Sequence, residues 1–351
     1  MLLHLYTSSF DMINKLKLFS TILLFTGILS VKANDSTSVN YMPEFHATLK
    51  PRVEFDADNG AARFQVRNAR LGALGNITKE LSYKLEVDFC DRGKIKVLDA
   101  YAGLQVIKGL QFQLGQIVIP FGIDAPRANF DYIFGDLSYV GLFNGAIRGC
   151  GAKINYTIPK TGLNLSGSVY NNYEMTVQNV WQKSMSAAVE GRYSIGPITP
   201  VVGFETCVPD EVRINSLDCA LLFTRGRWQV EGEYMMKHYA SNSFKTAHAY
   251  NVLARYTMPV RVGVFNRLTF QGRFDGMTDY SDGTRDSKGR LITSGTESKR
   301  ASIGTTLGYS KGQFLTYLRL DYYHTFIPGN VSSPIPAEGA NKLLAEIVVH
   351  F

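Results

Sequence analysis

The sequence predicts an all-β fold, a closed antiparallel transmembrane β-barrel of about sixteen strands. Three observations lead to this prediction. Apolar and polar residues alternate along many segments of about ten residues, the length of a tilted strand that spans a membrane. Short and long connections between these segments alternate along the chain. Aromatic residues make up 12% of the chain and gather near the segment ends, where a membrane barrel has its interfaces.

The first 33 residues are expected to be a cleaved secretory signal peptide. Two lysines precede an apolar run at 18–31, and Ala33 offers a small residue at the cleavage site. Met12 is the expected start, because the residues before it contain an aspartate and lack a basic segment. A retained anchor helix is the less favoured alternative, since the run falls short of the roughly 20 residues needed to span.

Residues 34–43 are then a short periplasmic segment, and residues 44–351 form the barrel. Removal of the signal changes the formal charge from +7 to +5, with 34 Lys and Arg against 29 Asp and Glu. No basic run long enough for nucleic-acid binding occurs. Four cysteines without a CxxC motif exclude a zinc site and a disulfide scaffold. Cys207 and Cys219 could bridge in an oxidising compartment or remain free thiols.

Sixteen segments have the period of two that is typical of a strand with one apolar and one polar face. They are 44–56, 62–74, 81–90, 96–107, 110–119, 149–158, 163–171, 184–194, 198–206, 217–225, 228–238, 248–257, 267–275, 300–309, 313–324 and 342–351. In the second segment Phe64 and Val66 have one parity and Leu71 the other, which predicts a bulge near Asn68. In hydrocarbon an unpaired strand edge would be costly, so a spanning sheet has to close.

The connections fall into two classes by length. Those on one rim are short, at 75–80, 108–109, 159–162, 196–197, 225–227 and 310–312, with a longer turn predicted at 258–266. Those on the other rim are mostly long, at 120–148, 172–183, 207–216, 239–247, 276–299 and 325–341. This sorting is typical of outer-membrane barrels, and a soluble sandwich has no reason to adopt it.

The connection 120–148, the third on the outer rim, has no strand period. Pro120 and Gly122 end the preceding strand, because proline cannot donate to a ladder and glycine frees the backbone. The apolar and aromatic residues of 123–134 would be costly on a solvated loop. We therefore expect this loop to fold inward and narrow the channel, for which a sixteen-stranded barrel has room. An external lid is the alternative.

Three short motifs resemble the phosphate-selective porin O and P family. They are Asp99-Ala100-Tyr101, Leu114-Gly115-Gln116 and Pro120-Phe121-Gly122, and the similarity is clearest over about 80–150. The C-terminal Phe351 also resembles the terminal aromatic by which bacterial outer-membrane proteins are recognised for assembly. The resemblance implies a sixteen-stranded, multi-pass channel of the bacterial outer membrane that assembles as a homotrimer. The resemblance does not identify the solute.

The parity of the strands predicts a lumen with nearly balanced charge. The basic side chains expected there are Lys50, Arg52, Arg63, Arg67, Lys84, Lys153, Arg192, Lys237, Arg255, Arg273, Arg319 and Lys342. The acidic ones are Glu54, Asp56, Glu86, Asp88, Asp99, Glu190, Glu205, Asp218, Glu231, Glu233, Asp275, Asp321 and Glu346. These sets produce no net field for anions, although charges segregated to opposite walls would produce a transverse one.

The function predicted is that of a porin, a passive diffusion channel for small hydrophilic solutes or ions, phosphate and other anions among the candidates. Neither a cofactor nor a metal is expected, and the partners are membrane lipid and the solute. We expect Asp124, Arg127, Asp131 and Asp136 of the loop to form the constriction. They are expected to face a lumen wall formed by Lys84, Lys153, Arg192, Arg255, Arg273 and Arg319.

Two other classes of function are less favoured. An enzyme is not expected, because no G-x-S-x-G motif occurs and the histidines are scattered and unpaired with a nucleophile. The acidic segment 275–286 lacks the spacing of a calcium loop, so a flexible surface loop is the better interpretation. An adhesin, or a structural subunit of a larger complex, would use the long loops as its binding surface. No residue in those loops identifies a partner.

Overall fold

The structure is a computed structural model. It describes residues 40–91, 93–145, 147–172, 179–209, 212–283, 285–290, 292–293, 297–312, 314–326 and 340–351. The predicted signal peptide and most of the segment 34–43 lie outside these ranges.

Sixteen antiparallel strands of the described chain close into one barrel, in which each strand pairs with its sequence neighbours and β1 pairs with β16. The strands are β1 (Glu44–Asp56), β2 (Ala61–Asn76), β3 (Leu81–Asp91), β4 (Lys94–Ile107), β5 (Leu110–Val118), β6 (Arg148–Thr157), β7 (Leu163–Tyr170), β8 (Ser186–Tyr193), β9 (Ile198–Cys207), β10 (Ile214–Arg225), β11 (Trp228–Tyr239), β12 (Ala247–Val262), β13 (Phe265–Met277), β14 (Ser298–Lys311), β15 (Phe314–Phe326) and β16 (Asn341–His350). The predicted fold class is confirmed.

In the described ranges, helical structure is confined to the connections between strands. A single turn of α-helix, α1 (Tyr139–Phe143), follows a 3₁₀ turn at Asn129–Asp131 between β5 and β6, and a second 3₁₀ turn, Ala240–Asn242, follows β11. None of the helices in the described ranges is long and apolar enough to cross a membrane.

The two faces of each strand differ as the alternation predicts. On β1, Lys50 and Arg52 are buried, whereas Leu49 before them and Phe55 after them are exposed. The buried parity faces the lumen and the exposed apolar parity faces outward. An apolar belt of this extent around a whole sheet would be unstable in water, and lipid is the environment that suits it.

The predicted bulge in β2 is present. Lys50 pairs with Asn68 but Pro51 pairs with Val66, so that Arg67 is the extra residue. The bulge brings the apolar residues of β2 onto one face of the sheet, because Phe64 and Val66 before it and Leu71 after it are all exposed on the outer face.

Strand ends agree with the prediction to within three residues, except at β12. The longer turn expected at 258–266 is wrong: β12 continues to Val262 and leaves only a two-residue turn, Gly263-Val264. Pro259 suggested an early end because it has no N–H to donate. The structure accommodates it where the β12–β13 register shifts, between Pro259 and Val262.

The four cysteines are free thiols. Cys207 packs against buried residues inside the barrel, while Cys219 is exposed on the opposite face of the sheet. A bridge between Cys207 and Cys219, left open by the sequence, is absent.

The lipid-facing assignment predicts an asymmetric cost for charged substitutions. Val202, near the middle of β9, and Ile195, at the short-turn rim, are 53% and 54% exposed. We expect Val202→Arg to lower the free energy of unfolding by about 2–4 kcal/mol and Ile195→Arg by less than about 1 kcal/mol, because only the first charge enters hydrocarbon. Reversible denaturant unfolding in lipid vesicles measures both. Equal costs would contradict the assignment.

Candidate functional site

The long connection between β5 and β6, here called the inserted loop (residues 119–145 and 147), lies within the barrel. In the described ranges its apolar side chains lie in three buried clusters with residues of the wall, and the largest cluster includes residues of β7, β8 and β10 to β13. Phe121, Val140 and Phe143 of the loop are at most 1% exposed, and Met235 of β11 is fully buried against them. Burial of apolar area, at roughly 25 cal/mol per Å², holds this side of the loop to the wall.

The loop cannot join the ladder of the sheet, so its backbone groups need other partners. Carboxylates of the wall accept its N–H groups. The bonds run from Ile123 to Glu233 (2.7 Å), from Gly135 to Asp321 (2.8 Å) and from Tyr139 to Asp275 (2.6 Å). These three acids belong to β11, β15 and β13, so the loop is fixed at points around much of the barrel.

Basic and phenolic side chains of the wall donate to the loop carbonyls in the same way. Arg273 donates to Asp136 O (3.0 Å), Arg300 to Leu137 O (2.7 Å), Arg52 to Gly135 O (3.3 Å), Tyr317 to Phe130 O (2.7 Å) and Arg319 to Tyr132 O. Charged donors make stronger bonds than neutral ones. The wall therefore binds the peptide groups of the loop with both signs of charge.

Asp136 is the loop side chain with the most basic surroundings. Its carboxylate lies 3.1 Å from Arg52 and 2.5 Å from Lys342. Burial tends to raise the pKa of Asp136, but Lys342 and Arg52 outweigh it and lower the pKa well below the ordinary value. Stability from a depressed carboxylate is lost only as the pH falls through the lowered pKa, so this anchor is retained through mildly acid conditions.

Asp124 serves the loop itself. Its Oδ2 accepts the Ser138 N–H at 2.8 Å, and Ser138 in turn caps α1 by accepting the Gly141 N–H at 3.0 Å. Asp124, near the start of the loop, is thus tied to the N-terminus of α1, which is held in place although it has only one turn.

The other two predicted constriction residues lie in different settings. Arg127 pairs with Glu231 of β11 at 2.5 Å. Asp131 is exposed on the 3₁₀ turn and faces a small cavity of about 130 Å³, which Arg255 and Arg319 also line. All four predicted loop residues are thus inside the barrel, but only Asp131 is exposed.

The predicted wall residues divide into those that contact the loop and those that do not. Arg273 and Arg319 bind it as described, and Arg192 donates to Gly122 O at 3.4 Å. Lys153 instead donates to Val118 O at the end of β5 (3.2 Å). Lys84 pairs with Glu86 (3.0 Å) and Asp99 (2.5 Å), and it shares a cavity with Arg127 without touching the loop.

The prediction overlooked several residues that hold the loop. The strand parity predicts only a lumen position for Arg52, Lys342, Asp275 and Asp321, and the predicted lumen does not include Arg300. Arg300 is buried and pairs with Asp275 at 2.7 Å. Its even parity with the inward-facing residues of β14 is the signal that could have identified it.

Open space remains between the inserted loop and the wall formed by β1 to β4 and β14 to β16. An outer cavity of about 490 Å³ opens toward the rim with the long connections, and an inner cavity of about 450 Å³ lies toward the other rim. Their linings are neighbours along the same elements: Lys50, Asn68 and Tyr132 line the outer cavity, and Thr48, Arg70 and Phe130 line the inner one. The two cavities are therefore stacked end to end along the barrel wall.

A third cavity, of about 530 Å³, lies between the end of the inserted loop and strands β7 to β11. It shares Arg148 with the inner cavity.

Charge is distributed unevenly around the lumen. The described lining of the outer cavity contains seven basic side chains, Lys50, Arg52, Arg67, Lys94, Lys96, Arg300 and Lys342, and two acidic ones, Asp91 and Asp136. The opposite wall, from β8 to β11, is rich in buried carboxylates, namely Glu190, Glu205, Asp218, Glu231 and Glu233. Basic side chains thus predominate in the outer cavity and acidic ones on the wall from β8 to β11, an arrangement that favours a transverse field across the lumen.

Within the described ranges, no group of three or more His, Cys, Asp or Glu side chains is arranged to hold a metal ion.

Comparison with known proteins agrees with this architecture. Residues 45–194 match the family model described as phosphate-selective porin O and P. The fold is similar to Salmonella typhi OmpF in complex with daunomycin, with a TM-score of 0.61, 13% identity and coverage of 88% of this chain and 97% of that one. It is also similar to an anion-selective porin from Comamonas acidovorans, with a TM-score of 0.59, 11% identity and coverage of 88% and 98%.

The trimer form of in-vitro folded OmpT from Vibrio cholerae is a further similar structure, with a TM-score of 0.54, 11% identity and coverage of 88% and 99%. No curated protein sequence matches the chain. These structures share the fold of outer-membrane porins with this chain, and the family match confirms the resemblance found in its motifs.

The anchoring of Asp136 predicts an effect on channel noise. We expect Asp136→Asn to weaken attachment of the inserted loop by on the order of 1–3 kcal/mol, because Arg52 and Lys342 lose a charged partner. Single-channel recordings should then show frequent brief changes in current that the unaltered protein lacks at both pH 7 and pH 5.

The matched control is Asp286→Asn. Asp286 also pairs with an arginine, Arg290 at 2.7 Å, but in an exposed connection outside the lumen. Recordings of this variant should match the unaltered channel. Quiet currents from Asp136→Asn would show that the ion pairs do not fix the loop.

Proposed function

We propose that this chain, whose residues 45–194 match the phosphate-selective porin O and P family, is an outer-membrane porin that passes small hydrophilic solutes by diffusion. The observation that carries the proposal is the pair of stacked cavities beside the inserted loop. They follow the wall formed by β1 to β4 from one rim toward the other. A solute needs neither a cofactor nor an energy source to move along such a path.

The inserted loop sets the aperture in this proposal. Its apolar cluster and its bonds to wall charges hold it in a fixed position. The width of the channel therefore depends on the distance between the loop surface and the facing wall. Conduction also needs binding that is weak and spread over several sites. Charged side chains spaced along β1 to β4, such as Lys50, Arg70 and Lys84, fit that requirement.

We further propose a preference for anions. The lumen as a whole is nearly neutral, but a solute in the outer cavity meets mainly basic side chains. Several carboxylates of the opposite wall are occupied by the loop, as Glu233 is by Ile123 and Glu231 by Arg127. The local charge along the solute path is therefore positive, whereas the wall behind the loop is acidic.

A homotrimer is the proposed assembly. The trimer form of OmpT, which is similar in fold, supports it, as does the resemblance to the porin O and P family. Lipid is expected to cover the rest of the exposed apolar belt.

Removal of the inserted loop tests the channel directly. Deletion of residues 124–140 should raise the single-channel conductance in planar bilayers, because the segment occupies part of the lumen. Insertion of the unaltered protein without stepwise current would contradict the proposal of a porin. Unchanged conductance in the deletion variant would show that the loop does not limit the aperture.

Reversal potentials in a salt gradient test the anion preference. We expect the unaltered channel to favour chloride over potassium. Lys94→Gln should lower the anion-to-cation permeability ratio by about two- to threefold, since one charge roughly 7 Å away in water contributes about 0.6 kcal/mol. Lys108→Gln, at an exposed turn away from the cavities, is the control and should leave the ratio unchanged. A cation-favouring reversal potential would overturn the preference.

A further inference from the structure

We propose that the outer cavity transiently binds organic anions, and that it binds those with a large apolar body more tightly than those with the same headgroup and a small one. The inference rests on the proposed channel function and names a solute class for it. It follows from three properties of the cavity: its size, the charge of one side and the apolar character of the other.

The size of the cavity exceeds what a lone inorganic anion needs. Its volume of about 490 Å³ falls in the range of roughly 300–1,000 Å³ that is usual for sites of small organic ligands. Phosphate or chloride would occupy a small part of this space and would leave the loop side of the cavity in contact with water.

The wall side of the cavity supplies the charge. Arg67 is the bulged residue of β2, and Lys94 and Lys96 begin β4. Asp91 is shared between Arg67 and Lys96, the latter at 2.7 Å, so it offsets only part of their charge. The side chain of Lys96 is 53% exposed, and Lys94 is exposed as well, so both can reach an anionic headgroup.

The loop side of the cavity is apolar. Leu142 of α1 is 45% exposed although it lies inside the barrel, and Leu137 and Tyr132 are partly exposed beside it. Single exposed leucines are ordinary on a protein surface. Here the apolar groups come from one segment and line one concave space, where they would exclude water from a ligand body. The ring of Tyr139 on the same side carries the Arg300 guanidinium at 4.4 Å.

An organic anion can use both sides at once, because the basic strands and the loop form opposing sides of the cavity. The headgroup is held by the exposed lysines and Arg67, and the body covers Leu142 and Leu137. Each square ångström of apolar area so covered gains roughly 25 cal/mol. The site is only partly enclosed by apolar groups, so binding stays weak enough for release and passage.

A pair of probes with one headgroup separates the two contributions. Phenylphosphonate and methylphosphonate are titrated against the single-channel current of the full-length protein, and the half-blocking concentration is measured for each. We expect phenylphosphonate to block at an about tenfold lower concentration, the effect of roughly 50–60 Å² of additional apolar burial.

The variant Leu142→Ser removes the largest exposed apolar group of the cavity without a change in charge. It should reduce the tenfold ratio to about two- to threefold and leave block by methylphosphonate unchanged. The matched control is Ile292→Ser, since Ile292 is 46% exposed but lies in a connection outside the cavity. Its ratio should remain about tenfold.

The outcomes distinguish this inference from the channel itself. Equal block by the two probes in a conducting channel would overturn the organic-anion site and leave the porin intact. A ratio that persists in Leu142→Ser would also overturn it, because the apolar contribution would then arise elsewhere. Absence of conductance in the unaltered protein would instead refute the proposed function.

Discussion

Most of this structure follows from one constraint: backbone N–H and C=O groups that are withdrawn from water need hydrogen-bond partners within the protein. In hydrocarbon each unpaired N–H or C=O is costly, so the strands have to pair on both edges, and β1 closes the sheet on β16. Closure creates a lumen wide enough for a loop. That loop meets the same requirement again, because its own peptide groups are withdrawn from bulk water and cannot pair with a sheet whose edges are used up.

The buried charges of the lumen answer this second requirement. Asp275, Asp321 and Glu233 accept N–H groups of the inserted loop, while Arg273 and Arg300 donate to its carbonyls. The N–H groups of a peptide chain need acceptors and its C=O groups need donors, so acidic and basic side chains are both required. This requirement explains why the lumen has nearly equal numbers of acidic and basic side chains. Many of these charges are therefore structural, and the field that a solute experiences depends on the remainder.

The sequence sufficed for the strands, since a period of two identifies both the element and its lipid face. It even predicted the bulge near Asn68, one residue from the extra residue Arg67, because an extra residue in one strand is what shifts the apolar parity partway along it. It did not reveal which charges touch the loop. Asp136 lies 84 residues from Arg52, and such a pair depends on the path of a segment without periodicity. Pro259 led to the wrong predicted end of β12, because a register shift that tolerates proline has no sequence signal.

The asymmetry of the loop decides where a solute can pass. Its largest apolar cluster lies toward β7, β10 and β11, where Phe121 and Phe143 are buried with Met235, and the third cavity lies nearer the end of the loop. Toward β1 to β4 the loop meets the wall through separate polar bonds, such as that of Lys50 to Asn129 O at 3.4 Å, and cavities remain between them. Close packing excludes a solute more completely than spaced ion pairs do. In the proposed channel, a permeating molecule therefore contacts residues of the first four strands and the loop surface opposite them.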